Sequence, residues 1–401
     1  MIPTHGNHIY DCVIVGLGTA GSATCMTLAR RGLKVLGIDQ YRPPHTMGSH
    51  HGASRSVRRA YLEGTSYVPM ALKAWEHWRK LEKDSGERLL VPTGNLTLGP
   101  PESPAVSGFI DSAQSYDIPH EFLTAAEVRK RWSHLAPPDT FVAGLEKEAG
   151  IVFPELSVAT FLAEAQKAGA TLVFDERVDQ WKENQDSVHV HTACTTYEAG
   201  RLLISTGAWT NTVLGLPGRT LRPQRVPVHW LEAPQDSTLQ IGRFPVNFWQ
   251  VPVEEGRDNQ HIYREFYSLP TIERASRIKV AFHNELVACD PATIIREVSC
   301  EETEKIRSVI SQFLPGLCHY PIISEVCMYV VTPDGHFYLG KKPGSNNVYG
   351  VALAGHGFKF APVLGEILAD LMTDIPSRID IEMFSPSRFG STTDTAPDSM
   401  R

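Results

Sequence analysis

The sequence predicts an α/β fold in which one domain is assembled from three separated segments and a second, sheet-containing domain is inserted between them. Three observations predict it. The chain opens with an apolar strand, a glycine turn and a helix of small residues. Strand–helix alternation resumes near Ile151 and again near Val348. The stretches between are richer in β-branched and aromatic residues, prolines and longer loops. At 401 residues the chain exceeds the size at which one hydrophobic core stops growing, so two domains are expected.

Cys12-Val-Ile-Val15 is a short apolar run suited to a buried parallel strand. Gly16-Leu-Gly18-Thr-Ala-Gly21 opens a helix that runs through Ala29. Arg30 and Arg31 complement its C-terminal dipole, and Gly32 ends it. The strand at 34–38 follows and delivers Asp39. In the second stretch, residues 157–169 have helical spacing with a Ser start and a Gly stop. Residues 171–174 are then a strand, 187–192 alternate as a solvent-edged strand does, and 201–207 form a buried strand ending in a glycine turn. In the third, 348–353 is a strand, 355–360 a turn, and 361–372 a helix with Pro362 in its first turn. These elements predict a Rossmann-like α/β domain from 1–88, 140–219 and 321–401. The inserted α+β domain, with a mixed or antiparallel sheet, takes 89–139 and 220–320. No internal repeat interrupts this reading.

The formal charge of −7 argues against a nucleic-acid surface, while allowing a local basic pocket. No apolar run reaches the length of about 18 residues that a spanning helix needs, so no membrane role is expected. The polar first ten residues do not resemble a secretory leader, and the C-terminus does not resemble a peroxisomal address. The seven cysteines are odd in number, scattered, and without a C-x-x-C pair. A disulfide framework or zinc site is not expected, and a reducing, cytoplasmic compartment fits best. The His50-His51 pair lacks an accompanying ligand set, so no metal is expected.

Glycines 16, 18 and 21 suit, in turn, a tight turn, close backbone approach to a pyrophosphate, and close helix-to-strand packing. The helix N-terminus offers free N–H groups and a positive dipole end to phosphates. Asp39 stands where a carboxylate accepts bonds from ribose hydroxyls, which favours a free ribose over a 2′-phosphate. The motif predicts a dinucleotide but does not separate NAD from FAD.

Further stretches match a family. They include Pro43-Pro-His45, Gly48-Ser-His-His-Gly52, Ser54-Arg-Ser-Val-Arg58, Ala60-Tyr61, Tyr67-Val-Pro69 and Gly207-Ala-Trp209, then Cys327-Met-Tyr329, Pro333-Asp334, His336-Phe337 and Gly355-His-Gly-Phe-Lys-Phe360. In this order they resemble the monomeric sarcosine oxidase and N-methyltryptophan oxidase family nearly end to end. The resemblance implies an FAD-dependent amine oxidase, monomeric, acting on a small secondary amino acid and O2. It implies a thioether from Cys327 to the 8α-methyl of the flavin, although a lone cysteine read by itself is usually a small core residue. It places FAD against Gly16, Gly18, Gly21, Asp39, Val178, Gly207 and Gly355, with His51 and Arg55 beside the flavin ring. Arg58 and Lys359 match the pair that holds the substrate carboxylate, Lys279 the lysine that activates O2, and His283 a substrate-facing histidine. In a strand, 279, 281 and 283 share a face, so both polar groups can enter one pocket.

One stretch departs from the family. Arg264 in Ile262-Tyr-Arg-Glu-Phe266 stands where sarcosine oxidases carry tyrosine, and the link to Lys279 is some four residues longer. Arg264 then either adds a charge to the substrate wall or turns to solvent while Tyr263 faces inward. The substrate stays open among sarcosine, N-methyltryptophan, other N-methyl amino acids, pipecolate and proline. A dehydrogenase passing electrons to another acceptor, and a non-catalytic FAD-binding protein, are the competing readings.

Overall fold

A computed structural model describes residues 8–218, 220–233, 237–255, 261–272, 276–283 and 287–389. The opening strand His8–Val15 pairs in parallel with Val35–Ile38 on one side and Thr196–Ile204 on the other. Val15 lies opposite both Ile38 and Ile204. Gly16, Asp39 and Ser205 therefore emerge together at the carboxyl edge of the sheet, where open α/β sheets bind their ligands. Thr171–Val173 and Val348–Ala352 extend the parallel core on its two sides. Such strands are covered on both faces, which is why they read as continuous apolar runs. The Thr19–Arg30 helix packs closely because its neighbours are small: a Cβ on Gly21 would collide with the carbonyl of Gly16, and one on Gly365 would lie 2.7 Å from the Ala23 backbone.

The strand expected at 201–207 begins earlier, as Thr196–Ile204. Its polar upstream half pairs antiparallel with Val188–Thr192, which in turn pairs with the edge strand Val178–Glu183, and in this outer part of the sheet alternation rather than an apolar run is the signature.

The second sheet is mixed. Asn95–Gly99 pairs in parallel with Val246–Glu255, while the other pairings are antiparallel. One face, with Leu96, Leu98, Trp249, Phe266, Ile278 and Val280, packs on the Cys300–Phe313 helix through Ile306, Val309, Ile310 and Phe313. The alternate residues Phe248, Tyr267, Leu269 and Lys279 face the nucleotide-binding domain. Two strands of this sheet, Val142–Glu146 and Ile322–Val331, lie in segments that the sequence bounds gave to the other domain. Ile322–Val331 carries the Cys-Met-Tyr motif, yet its backbone is the antiparallel partner of Arg222–Glu232, from Arg222 opposite Val331 to Leu231 opposite Ile322. Among the described residues, no helix is long and apolar enough to cross a membrane.

Candidate active site

One elongated cavity of about 1850 Å³, its open mouth included, runs from Gly16 and Asp39 to Arg58, His283 and Lys359. At the first end, Gly16 has φ +90°, and a Cβ there would lie 2.5 Å from the Ser205 carbonyl oxygen. The helix beginning at Thr19 has neither a side-chain cap nor an acid in its first turn. Its first N–H groups and positive dipole end are thus left for a phosphate. Asp39 accepts from the Leu17 amide at 2.7 Å and the Tyr41 amide at 2.9 Å, which fixes its carboxylate at the cavity wall. Gly18, Val178, Gly207 and Gly355 also line the cavity. Gly355 has φ +82°, and a Cβ there would lie 2.6 Å from the Tyr329 ring.

A short strand not anticipated from the sequence sets the other end. Arg55–Val57 pairs antiparallel with Gly150–Val152, bringing Arg55 and Arg58 to the cavity. Arg58 is buried. Its Nη2 meets both carboxylate oxygens of Glu63 at 3.1 and 3.2 Å, and its guanidinium lies over the rings of Tyr61 and Phe248. Burial alone would raise the Glu63 carboxyl, but Arg58 foremost, with His356 and Lys359, holds it well below the usual carboxylate range. Lys359 sits in the Phe358–Phe360 turn, which is anchored by the Trp78 indole N–H donating to the Lys359 carbonyl at 2.7 Å. Its Nζ donates to the His356 carbonyl at 2.6 Å and to the Tyr61 hydroxyl at 3.4 Å. Burial, then Arg58, lowers the ammonium to about 7 against the pull of Glu63.

His283 lies one residue past the Arg277–Phe282 strand, its N–H donating to the Glu265 carbonyl at 2.8 Å. Its ring packs on Phe248 and Tyr329, and burial pushes its imidazole down to about 4. Lys279, in the strand, is 2% exposed and donates to the carbonyls of Gly52 and Ser54 at 2.9 and 2.7 Å. Burial, then Arg55, holds its ammonium well below the usual lysine range. Arg55 donates to the carbonyls of Ser49, His51 and Ser54 and lies 3.9 Å from the Cys327 sulfur.

Residues 11–371 match the family of FAD dependent oxidoreductases. The chain belongs to that family. It is 36% identical to a monomeric sarcosine oxidase of Streptomyces avermitilis, over 95% of this chain and 98% of the relative. It is 33% identical to an N-methyl-L-tryptophan oxidase of Yersinia pestis, over 95% and 99%. Among solved structures it resembles NikD, an unusual amino acid oxidase essential for nikkomycin biosynthesis, with a TM-score of 0.82 at 23% identity over 95% and 98% of the two chains. That likeness carries the fold.

As an FAD-dependent oxidoreductase, the chain shows features that suit its cofactor. The glycine cradle has no room for a Cβ at Gly16 or Gly21, the helix start is uncapped, and a fixed carboxylate, Asp39, lines the cavity at the end of the adjacent strand. His51 is buried, and among the described residues neither ring nitrogen has a hydrogen-bond partner, the Glu325 carboxylate standing 3.8 Å from Nδ1; such a ring has donor and acceptor capacity left for a ligand group. Burial, then Arg55 and Lys279, pushes its imidazole down to about 4.

The structure brings Arg55, Arg58, Lys279, His283 and Lys359 into one cavity with Gly16, Gly18, Asp39, Val178, Gly207 and Gly355. Gly21 sits in the packed helix, while His51 and Cys327 are buried beside residues that line the cavity. The sequence reading gave no role to Glu63, Tyr61, His356, Tyr267 or Tyr329. Three of them, Tyr61, His356 and Tyr329, stood in quoted motifs, but nothing in the local pattern said what they touch. Arg264 does not line the cavity. It shares the packed face with Phe266 and lies over the Phe282 ring, while Tyr267 shares the opposite face with Glu265 and lines the cavity. Part of the longer link before Lys279, residues 273–275, lies outside the described residues.

Proposed function

We propose that this chain is an FAD-dependent oxidase of secondary α-amino acids, N-methylated or cyclic, with its flavin held covalently by Cys327. The observation that carries this reading is the convergence of two buried basic groups from opposite ends of the chain, Arg58 and Lys359, on the ring of Tyr61 in the cavity of a flavoprotein. A guanidinium forks onto a carboxylate and an ammonium adds a point charge. The relatives named as oxidases of sarcosine and N-methyl-L-tryptophan support the same substrate class.

Arg58 exchanges Glu63 for the substrate carboxylate, and Lys359 adds a second donor. His283, neutral above about pH 4, accepts a hydrogen bond from the N–H of the substrate amine and favours its uncharged form over the cation. FAD, when bound, supplies two-electron oxidation of the C–N bond and returns the electrons to O2 as H2O2. The imine then hydrolyses, releasing an aldehyde when an N-methyl group was attacked. Lys279, with Arg55, puts positive charge beside Cys327, where an anion formed from O2 is stabilised. Free cysteines accord with a reducing, cytoplasmic setting, the net charge of −7 argues against a nucleic-acid partner, and the relatives named as monomeric sarcosine oxidases support a monomer acting on small molecules. The segment bounds of the two domains, set by the sequence and shifted by two strands, belong to this proposal too.

Two measurements test the reading. Mixed anaerobically with a panel of N-methyl and cyclic amino acids, the enzyme bleaches with at least one. Bleaching by the matching primary amino acids alone would overturn it. After acid precipitation the wild-type pellet stays yellow, and that of Cys327→Ala is colourless. Colour washing out of the wild type would refute the covalent bond.

A further inference from the structure

We propose that Tyr61 and His356 are positioning residues that tie carboxylate binding at Lys359 to the uptake of a proton. This rests on the reading of Arg58 and Lys359 as the carboxylate clamp. Hydrogen-bond direction couples the two residues to the lysine. His356 Nε2 faces the Gly335 carbonyl at 3.1 Å, which can only accept, so the ring proton sits on Nε2. Nδ1 is then the acceptor for the Tyr61 hydroxyl at 2.6 Å. With its only proton given to His356, the Tyr61 oxygen offers lone pairs alone to Lys359 Nζ. Tyr61 is fully buried and stacked on Tyr67, whose own hydroxyl meets His336 at 2.9 Å, so it has little freedom to turn.

Lys359 therefore faces two acceptors, the His356 carbonyl and the Tyr61 oxygen. A neutral amine has two N–H groups, and both are used there. What it turns to the cavity is a lone pair, which repels a carboxylate. The ammonium has a third N–H, and that one serves the substrate. Binding above the pH where Lys359 loses its charge requires one proton from solvent: amine plus proton plus carboxylate gives the ammonium–carboxylate pair.

The groups around Lys359 leave it as the one that changes charge near neutrality. Arg58, from the loop after Arg55–Val57, carries a guanidinium, which keeps its charge. Glu63, from the same loop, is held well below the usual carboxylate range by Arg58 against its burial. His283, past the Arg277–Phe282 strand, and His356, on the lysine's own turn, are both pushed down to about 4 by burial. Burial raises the Tyr61 and Tyr67 hydroxyls, so both remain protonated. Lys359 itself is lowered to about 7, so its ammonium is complete below that pH and disappears above it.

The test is calorimetric titration of the flavin-loaded enzyme with 2-furoate, a carboxylate without a titrating amine, from about pH 6 to about pH 9 in two buffers of different ionisation enthalpy. Wild type takes up about one proton near pH 8, and its Kd rises about tenfold per pH unit above the midpoint. Tyr61→Phe removes one acceptor of the ammonium. His356→Leu lets the Tyr61 hydroxyl donate to the neutral amine instead. Both leave the neutral amine an N–H for the carboxylate, so proton uptake near pH 8 falls well below one and the rise of Kd above the midpoint flattens to less than about threefold per pH unit, with binding at pH 6 within about threefold of wild type. His356→Gln, able to accept from Tyr61 and donate to Gly335, restores the proton uptake and the pH dependence of Kd. Equal weakening at every pH in both variants would mark a merely structural role and overturn the inference, as would a wild-type Kd that is flat with pH. Failure of wild type to bind furoate at all would remove the clamp reading and this inference with it. Tyr61→Phe is isosteric, so the test stands even if His356→Leu fails to fold.

Discussion

Replacing Arg58 with alanine is expected to lower kcat/KM for the best secondary amino acid by about 10²–10³-fold, with most of the loss in KM. Truncating one member of a buried, hydrogen-bonded charge pair costs about 2–5 kcal/mol, much of it from the partner left behind. Here two partners are stranded. The substrate carboxylate loses its fork, and Glu63 loses the guanidinium that holds it ionised. Arg58→Lys recovers part of the loss, since it restores charge but not the two-pronged geometry. Lys359→Ala costs less at neutral pH, because burial has already brought that ammonium to about 7 and roughly half is uncharged there. Glu63→Gln moves KM the other way, since Arg58 no longer leaves a carboxylate to take the substrate. Steady-state kinetics on the four variants checks this order. If Arg58→Ala lowered kcat with KM unchanged, Arg58 would act in the transition state alone, not in carboxylate binding.

That order could not have been written from the sequence. The nucleotide end was legible because its parts are local and mechanical. Gly16, Gly18 and Gly21 each answer a steric demand within one turn, and Asp39 ends the adjacent strand. The Ala361–Met372 helix was legible in the same way, from Pro362 and an apolar run. The clamp was different. Arg58 and Lys359 come from distant segments, and only the resemblance paired them. Glu63 gave no local signal, since an acid five residues from an arginine is commonplace in a loop. Its importance comes from the pairing seen in the fold. The Tyr61–His356 contact depends on which ring nitrogen faces the Gly335 carbonyl, and no one-dimensional pattern encodes that. Ile322–Val331 shows the converse: the resemblance assigned its motif to the flavin site, while its hydrogen bonds belong to the other sheet. Arg264 was settled by strand parity. Phe266 marks the packed face, and Arg264 must share it.

Lys279→Met is expected to slow reoxidation of the reduced enzyme by O2 about 10²–10³-fold, the range for removing one preorganised charge-stabilising donor. Anaerobic reduction by substrate should stay within about threefold of wild type. The two half-reactions separate because Lys279 stands apart from the clamp. Its hydrogen bonds run to the carbonyls of Gly52 and Ser54, beside Arg55 and Cys327, whereas Lys359 belongs with Arg58 and Tyr61. Burying an ammonium on neutral acceptors is costly, and burial with Arg55 indeed holds it well below the usual range. Negative charge arriving beside it reverses that balance, so the cation is strengthened at the moment O2 takes an electron. Methionine keeps the length and apolar stem but removes the charge. Stopped-flow measurement of each half-reaction decides the matter. If reoxidation in Lys279→Met matched wild type, O2 would not be the acceptor that this lysine serves. The case would then pass to a dehydrogenase that hands its electrons to a carrier.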